Sequence, residues 1–217
     1  MSAAIWWIRR DLRLADNQAL GAALSRSNMI VPVFILDPRL LASPYVGAQR
    51  TAFLFAGLRS LEQDLRQLGS QLIIRHGSPV EALSALVSET GATAIYAEED
   101  YSPYASQRDA LVRQTIPITM TAGLTVHPPE LVLKQDGQPY TVFTPFSKTW
   151  NALPHPQEKD LLPKPVALNT PVDLPSLRIP DEPILSDHAP FIPGEVEALR
   201  RLKEFTSEGE SSVYSYE

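Results

Sequence analysis

The chain has 217 residues, 44% of them apolar and 20% charged, and no cysteine; this ordinary globular composition excludes disulfides and thiolate-held metals. No run approaches the ~20 apolar residues of a membrane span, and the short apolar run near the start precedes its arginines, the reverse of a secretory signal, so a cytoplasmic protein is expected. The formal charge of −6 is uneven: residues 1–127 hold eleven basic and eleven acidic side chains and residues 128–217 eight and fourteen, so neither half is a basic patch for gripping a phosphate backbone.

In chain order, Ile5-Trp6-Trp7-Ile8 reads as a buried strand that ends abruptly in Arg9-Arg10-Asp11-Leu12-Arg13-Leu14. Asp16 is placed to cap a helix running to about Ser25. Residues 30–36 form a second strand, with Pro32 near its start. Leu54, Leu58, Leu61, Leu65 and Leu68 recur at alternating spacings of four and three, which predicts a long amphipathic helix over 47–68 stopped by Gly69. A third strand over 72–75 leads to Ser78-Pro79 with Glu81, a capping box that opens a helix ending at Gly91. A strand over 94–97, a helix over about 104–114 and a strand near 118–120 follow. Strands joined through helices pair in parallel with right-handed crossovers. Residues 1–128 therefore read as a Rossmann-like, doubly wound α/β domain: a five-stranded parallel sheet with helices on both faces. Ligands bind such sheets beyond the carboxyl ends of the strands.

The second half cannot continue this plan, because fourteen of the twenty prolines lie beyond residue 127 and proline blocks helix interiors and central strands. Residues 131–134 and 140–143 flank Gln135-Asp136-Gly137, a hairpin signal. Residues 144–150 suggest a short capped helical turn. Residues 154–193 read as a proline-rich connector lying over a surface toward another domain. Residues 195–205 resume helical periodicity through Val196, Leu199, Leu202 and Phe205, with nothing further in the chain for that helix to pack on.

Two charged clusters sit where the domain would bind a ligand. In the first, Asp11, Arg13 and Asp16 are expected to form an ion-pair network pinning the first turn of a helix. Arg10 is the member expected to face a cleft, where a guanidinium can stack on or hydrogen-bond a flat ring. In the second, Glu98-Glu99-Asp100 follows the fourth strand. Glu98 and Glu99 fit a solvated loop or a site with a cation nearby, and Asp100 with Ser102 is the better candidate for holding a ligand. Trp6 and Trp7 read as strand core and edge. There is no Gly-x-Gly-x-x-Gly, no phosphate-cradling loop and no Gly-x-Ser-x-Gly. His76, His127, His155 and His188 are too scattered in sequence to suggest a metal site or catalytic pair.

Trp7-Ile8-Arg9-Arg10-Asp11-Leu12-Arg13-Leu14, with Asp16-Asn17 behind it, closely resembles the amino-terminal signature of the DNA photolyase and cryptochrome family. Further segments match in order: Asp37-Pro38, Arg50 before Phe53-Leu54, Gly77-Ser78-Pro79, Pro103-Tyr104 with Arg108-Asp109, Tyr140 to Ser147, and Pro193-Gly194-Glu195. The resemblance implies an amino-terminal antenna domain over 1–128, a hairpin and connector over 129–194, and the start of a helical FAD-binding domain over 195–217. It implies a full-length photolyase that binds UV-damaged DNA through that helical domain and repairs cyclobutane pyrimidine dimers using blue light and FAD. No membrane partner is implied. The present chain would lack the FAD domain and be inactive alone. Carried over by position, the antenna pocket comprises Arg10, Leu36, Asp37, Arg50, Asp100 and Ser102. The expected chromophore is 8-hydroxy-deazaflavin or FMN in preference to methenyltetrahydrofolate, or no antenna at all. Tyr104-Ala105 stands where the folate-type loop has Asn-Glu, and Ser102 where the deazaflavin-type loop has a carboxylate. A cryptochrome fragment and a free-standing nucleotide-binding α/β protein are the competing readings.

Overall fold

All six residues of Ala3–Ile8 (β1) are buried, which requires cover on both faces of the strand. The computed structural model describes residues 3–207 and supplies that cover. The other strands are β2 (Met29–Leu36), β3 (Ile73–His76), β4 (Ala94–Glu98) and β5 (Ile118–Thr121). They form one sheet in the order β3-β2-β1-β4-β5, and every pairing is parallel. The helices are α1 (Gln18–Leu24), α2 (Pro38–Leu41), α3 (Ala48–Gln67), α4 (Pro79–Thr90), α5 (Pro103–Thr115), α6 (Phe143–Ala152) and α7 (Glu195–Thr206). Among the described residues no helix is long and apolar enough to cross a membrane.

Alternation along β1 divides the core. Ala4, Trp6 and Ile8 pack with Leu20 and Ala23 of α1 and with Phe55, Leu58, Leu61 and Leu65 of α3. Ala3, Ile5 and Trp7 pack with Leu83 and Leu86 of α4 and Val112 of α5. The leucine stripe of α3 thus covers one face, as its spacing predicts. Because β1 is the middle strand, both tryptophans are core residues and neither is an edge.

Several local expectations need correction. Asn17 caps α1, its side chain accepting from the Leu20 N–H at 2.8 Å; Asp16 precedes it at φ +48°. The capping box at Ser78 does not form, since Ser78 makes no side-chain bond to its helix. Pro79 still occupies the first turn and Gly91 ends α4 at φ +63°. The hairpin reduces to one antiparallel bridge between Leu133 and Pro139. Pro139 has no N–H to extend a ladder, and the chain turns instead into α6, which is a full ten-residue helix.

The connector folds back on the sheet. Ile30 at the start of β2 donates to the Asn169 carbonyl at 2.8 Å, and Leu168 donates to Leu68 at 2.9 Å. Leu177 donates to the Ile74 carbonyl at 3.0 Å, and the Ile74 N–H donates to Ser176 Oγ at 2.9 Å. The two bonds at Ile74 cover the edge strand β3, whose free backbone groups would otherwise face solvent. Leu168 is 2% exposed and belongs to the α1–α3 core. Leu168→Ala should therefore cost about 2–4 kcal/mol in a single unfolding transition; a variant whose denaturant midpoint matches the parent's would show the connector to be only draped there.

Candidate functional site

Strand order reverses between β1 and β4, and in open α/β sheets the crevice at such a reversal is the ligand site. A cavity of about 260 Å³ lies there, at the carboxyl ends of β1, β2 and β4. Its walls include Trp7, Arg9 and Arg10 from β1 and the turn after it, Phe34, Ile35 and Asp37 from β2 and its end, Asp100 after β4, and Ser102, Tyr104 and Arg108 at the start of α5.

Asp109 organises the wall. It accepts from Arg9 Nη1 at 2.6 Å and from Arg108 Nε at 2.8 Å, and all three side chains are below a tenth exposed. One carboxylate thus serves two guanidinium groups. Arg9 Nη2 and Arg108 Nη2 remain buried without a partner. Both guanidinium groups lie against the Trp7 ring, at 4.9 and 4.8 Å from its centroid, and Arg108 also lies 5.7 Å from the Tyr104 ring. Burial lowers the pKa of Arg9, opposed by Asp109.

The rim is polar. Burial pushes the Asp100 carboxyl up, but the Ser102 N–H and hydroxyl and the neighbouring Arg10 and Arg9 outweigh it and hold the group below its ordinary value. Ser102 caps α5 and donates its N–H to Asp100 Oδ1 at 3.0 Å. Arg10, with its side chain 68% exposed, reaches Asp100 at 3.7 Å. Tyr104 donates its hydroxyl to Asp37; burial first, and this bond next, push the phenol to about 12.

Of the six residues assigned by resemblance, Arg10, Asp37, Asp100 and Ser102 line this one cavity. Leu36 does not: it points into the α1–α3 core. Arg50, at the start of α3, lines a separate hollow with Phe53, His188 and Phe191. Arg9, Trp7, Tyr104 and Arg108 were not singled out for the site. Arg108-Asp109 was visible as a motif, but nothing in the sequence shows that it meets Arg9 a hundred residues away. His127 and His155, distant in sequence, come together with ring centroids 5.3 Å apart, each 4.9 Å from Trp150. Among the described residues no cluster suited to a metal ion is present.

The first charged cluster forms part of the expected local network, Arg13 Nε and Nη2 donating to the Asp16 carbonyl at 3.1 and 2.8 Å, and extends beyond it. Asp11 is tied to Asn17 Nδ2 at 3.0 Å, while Arg13 Nη2 donates to Glu98 Oε1 at 3.2 Å and to the Gly123 carbonyl at 3.2 Å. Glu98 is not a solvated loop residue but the last residue of β4, 1% exposed. It accepts from the Gln18 N–H at the start of α1 at 3.1 Å, and a Cβ at position 123 would collide with its carboxylate. Burial, then the nearby Asp11, push the Glu98 pKa to about 7 against the partial compensation of Arg13. A carboxyl whose folded pKa is raised loses stability as pH climbs from its unfolded value to its folded one. Stability should therefore fall between pH 4.5 and 7, by up to about 3 kcal/mol. Glu98→Gln should flatten that fall in thermal melts across this range; parallel curves for the two proteins would refute the assignment.

The sequence profile of the DNA photolyase family matches residues 4–166. An uncharacterized 31.6 kDa protein from the atpI 5′ region of Synechococcus sp. PCC 6716 is 35% identical over 98% of this chain and 76% of its own length. The deoxyribodipyrimidine photo-lyase of Synechococcus sp. PCC 6301 is 33% identical over 93% of this chain and 44% of that protein. The crystal structure of a class III photolyase from Agrobacterium tumefaciens superposes with a TM-score of 0.84 at 28% identity, covering 94% of this chain and 44% of that one. The chain thus spans less than half the length of these two photolyases. With the profile covering well over half of its residues and the parallel sheet shared, the chain belongs to the DNA photolyase family and corresponds to that family's amino-terminal α/β region.

Proposed function

We propose that the cavity at the carboxyl ends of β1, β2 and β4 holds a light-harvesting pigment. In this reading the excitation passes to FAD in a helical domain of the full-length protein, which repairs cyclobutane pyrimidine dimers in UV-damaged DNA. The pigment is 8-hydroxy-deazaflavin or FMN in preference to a folate. The observation that carries the reading is the wall itself. Trp7 and Tyr104 line the cavity together with the guanidinium-bearing Arg9, Arg10 and Arg108. Such a surface suits a planar ring system rimmed with carbonyl oxygens. Arg10 and Asp100 at the mouth add a donor and an acceptor. Such a pigment supplies an excited state; the residues of this chain hold and orient it and exclude water.

The partner domain has a natural seat. A hollow of about 670 Å³ opens between the loop after β1 and α7, lined by Leu12, Phe53, Ile192, Leu199 and Leu202. Glu195 fixes α7 beside that loop by accepting from the Leu14 and Ala15 N–H groups at 2.9 and 2.8 Å. We assign this apolar groove to the helical domain and residues 195–217 to its beginning; residues 208–217 lie outside those described.

The experiment mixes purified protein with FMN, 8-hydroxy-5-deazariboflavin or methenyltetrahydrofolate, desalts, and reads visible absorbance. Retention of FMN or the deazaflavin is expected. Arg10→Ala should retain at least fivefold less, with a change in stability within about 0.5 kcal/mol because the side chain is exposed. Retention of no pigment would overturn the reading, and equal loss of melting temperature and retention would return Arg10 to a purely structural ion pair with Asp100.

A further inference from the structure

Trp6 and Trp7 are neighbours in β1 and equally buried, at 0 and 2% exposed, yet they face opposite sides of the sheet and different surroundings. Trp6 packs among Leu14, Leu20 and Leu58 in the α1–α3 core, and among the described residues no cation lies over its ring. Trp7 lines the cavity and carries two guanidinium groups, Arg108 at 4.8 Å and Arg9 at 4.9 Å. Asp109 is the one carboxylate in contact with both guanidinium groups; Asp11 and Asp100 also act on Arg9.

We propose that Arg108 and Arg9 suppress the oxidation of Trp7, so that the indole lining the pocket does not drain an excited pigment. The inference rests on the antenna reading above for its use, but not for its physics. A cation is drawn to the face of a neutral indole. Removing an electron turns that attraction into repulsion between like charges in a poorly screened interior. The oxidised indole is therefore disfavoured. The step being blocked is a one-electron transfer. A photoexcited flavin-type ring takes an electron from the indole, giving an indole radical cation and a pigment radical anion; back transfer restores both, and the photon is lost as heat. Arg108 guards a second donor in the same way, because its guanidinium also faces Tyr104 at 5.7 Å.

Two arms test this. In the first, the pigment-free protein is flash-oxidised at low dose with tris(bipyridyl)ruthenium and persulfate, and oxidation at Trp6 and Trp7 is resolved by peptide fragmentation. Equal burial makes Trp6 the internal reference. The parent protein should oxidise at Trp6 over Trp7 by at least fivefold, Arg108→Met should move the pair toward parity, and Arg108→Lys should stay near the parent. In the second arm the fluorescence lifetime of bound FMN is measured. Arg108→Met should shorten it severalfold, and adding Trp7→Phe should restore it. Parity of Trp6 and Trp7 in the parent, or an FMN lifetime indifferent to Arg108→Met, overturns the proposal. Failure of the parent to retain any pigment would defeat the antenna reading alone, leaving the first arm to decide this one.

Discussion

A carboxylate shared between two buried guanidinium groups fixes the geometry around which this domain is built. Asp109 sits on α5, Arg9 on the exit of β1, and the 2.6 Å contact between them joins the central strand to a helix a hundred residues later. Removing one partner of a buried pair leaves a stranded charge and costs about 3–5 kcal/mol, so β1 and α5 are held together by necessity as well as by packing. Arg108 enlists the same carboxylate. Together the three groups set one wall of the cavity and place two cations against Trp7.

The opposite charge problem arises one strand away. Glu98 closes β4 among Asp11, Arg13 and Asp16, with one oxygen bonded to the start of α1 and the other unpartnered. Its desolvation is a liability at neutral pH. In return it locks α1, the end of β4 and the Gly123 turn to one another. The carboxyl edge of the sheet is thus a row of buried charges, each partly answered by the next element. That edge has the polarity and the rigidity a ligand site requires, and the aromatic rings between the charges supply its flat surfaces.

The second half of the chain is a strap. Among the described residues it adds no strand to the sheet, because proline removes the donors a ladder needs. It is held instead by isolated backbone bonds at the free ends of β2 and the open edge of β3. Leu168 plugs the core between them. The strap then delivers α7 to the loop after β1, where Glu195 accepts two otherwise unpaired backbone N–H groups. Exposed Leu199 and Leu202 on that helix border the larger apolar groove proposed to seat the helical domain.

Local order in the sheet domain was legible because it rests on local rules. The four-three leucine spacing of α3, the glycine stops after α3 and α4 and the uninterrupted apolar run of β1 name their elements without reference to anything distant. Turn chemistry was less faithful: Ser78 offers a cap it does not use, Asn17 takes the role expected of Asp16, and Pro139 ends a hairpin before it forms. The site divided along the same line. Arg10, Asp100 and Ser102 were reachable because they lie within four residues of a strand end and parallel strands bring their ends to one rim, whereas Asp37 came from the family resemblance. Arg9, Arg108 and Trp7, the buried contact of Glu98 with Arg13, and the meeting of His127 with His155 depend on side chains far apart in the chain. Periodicity and spacing carry no record of such distances; strand order and helix docking create them.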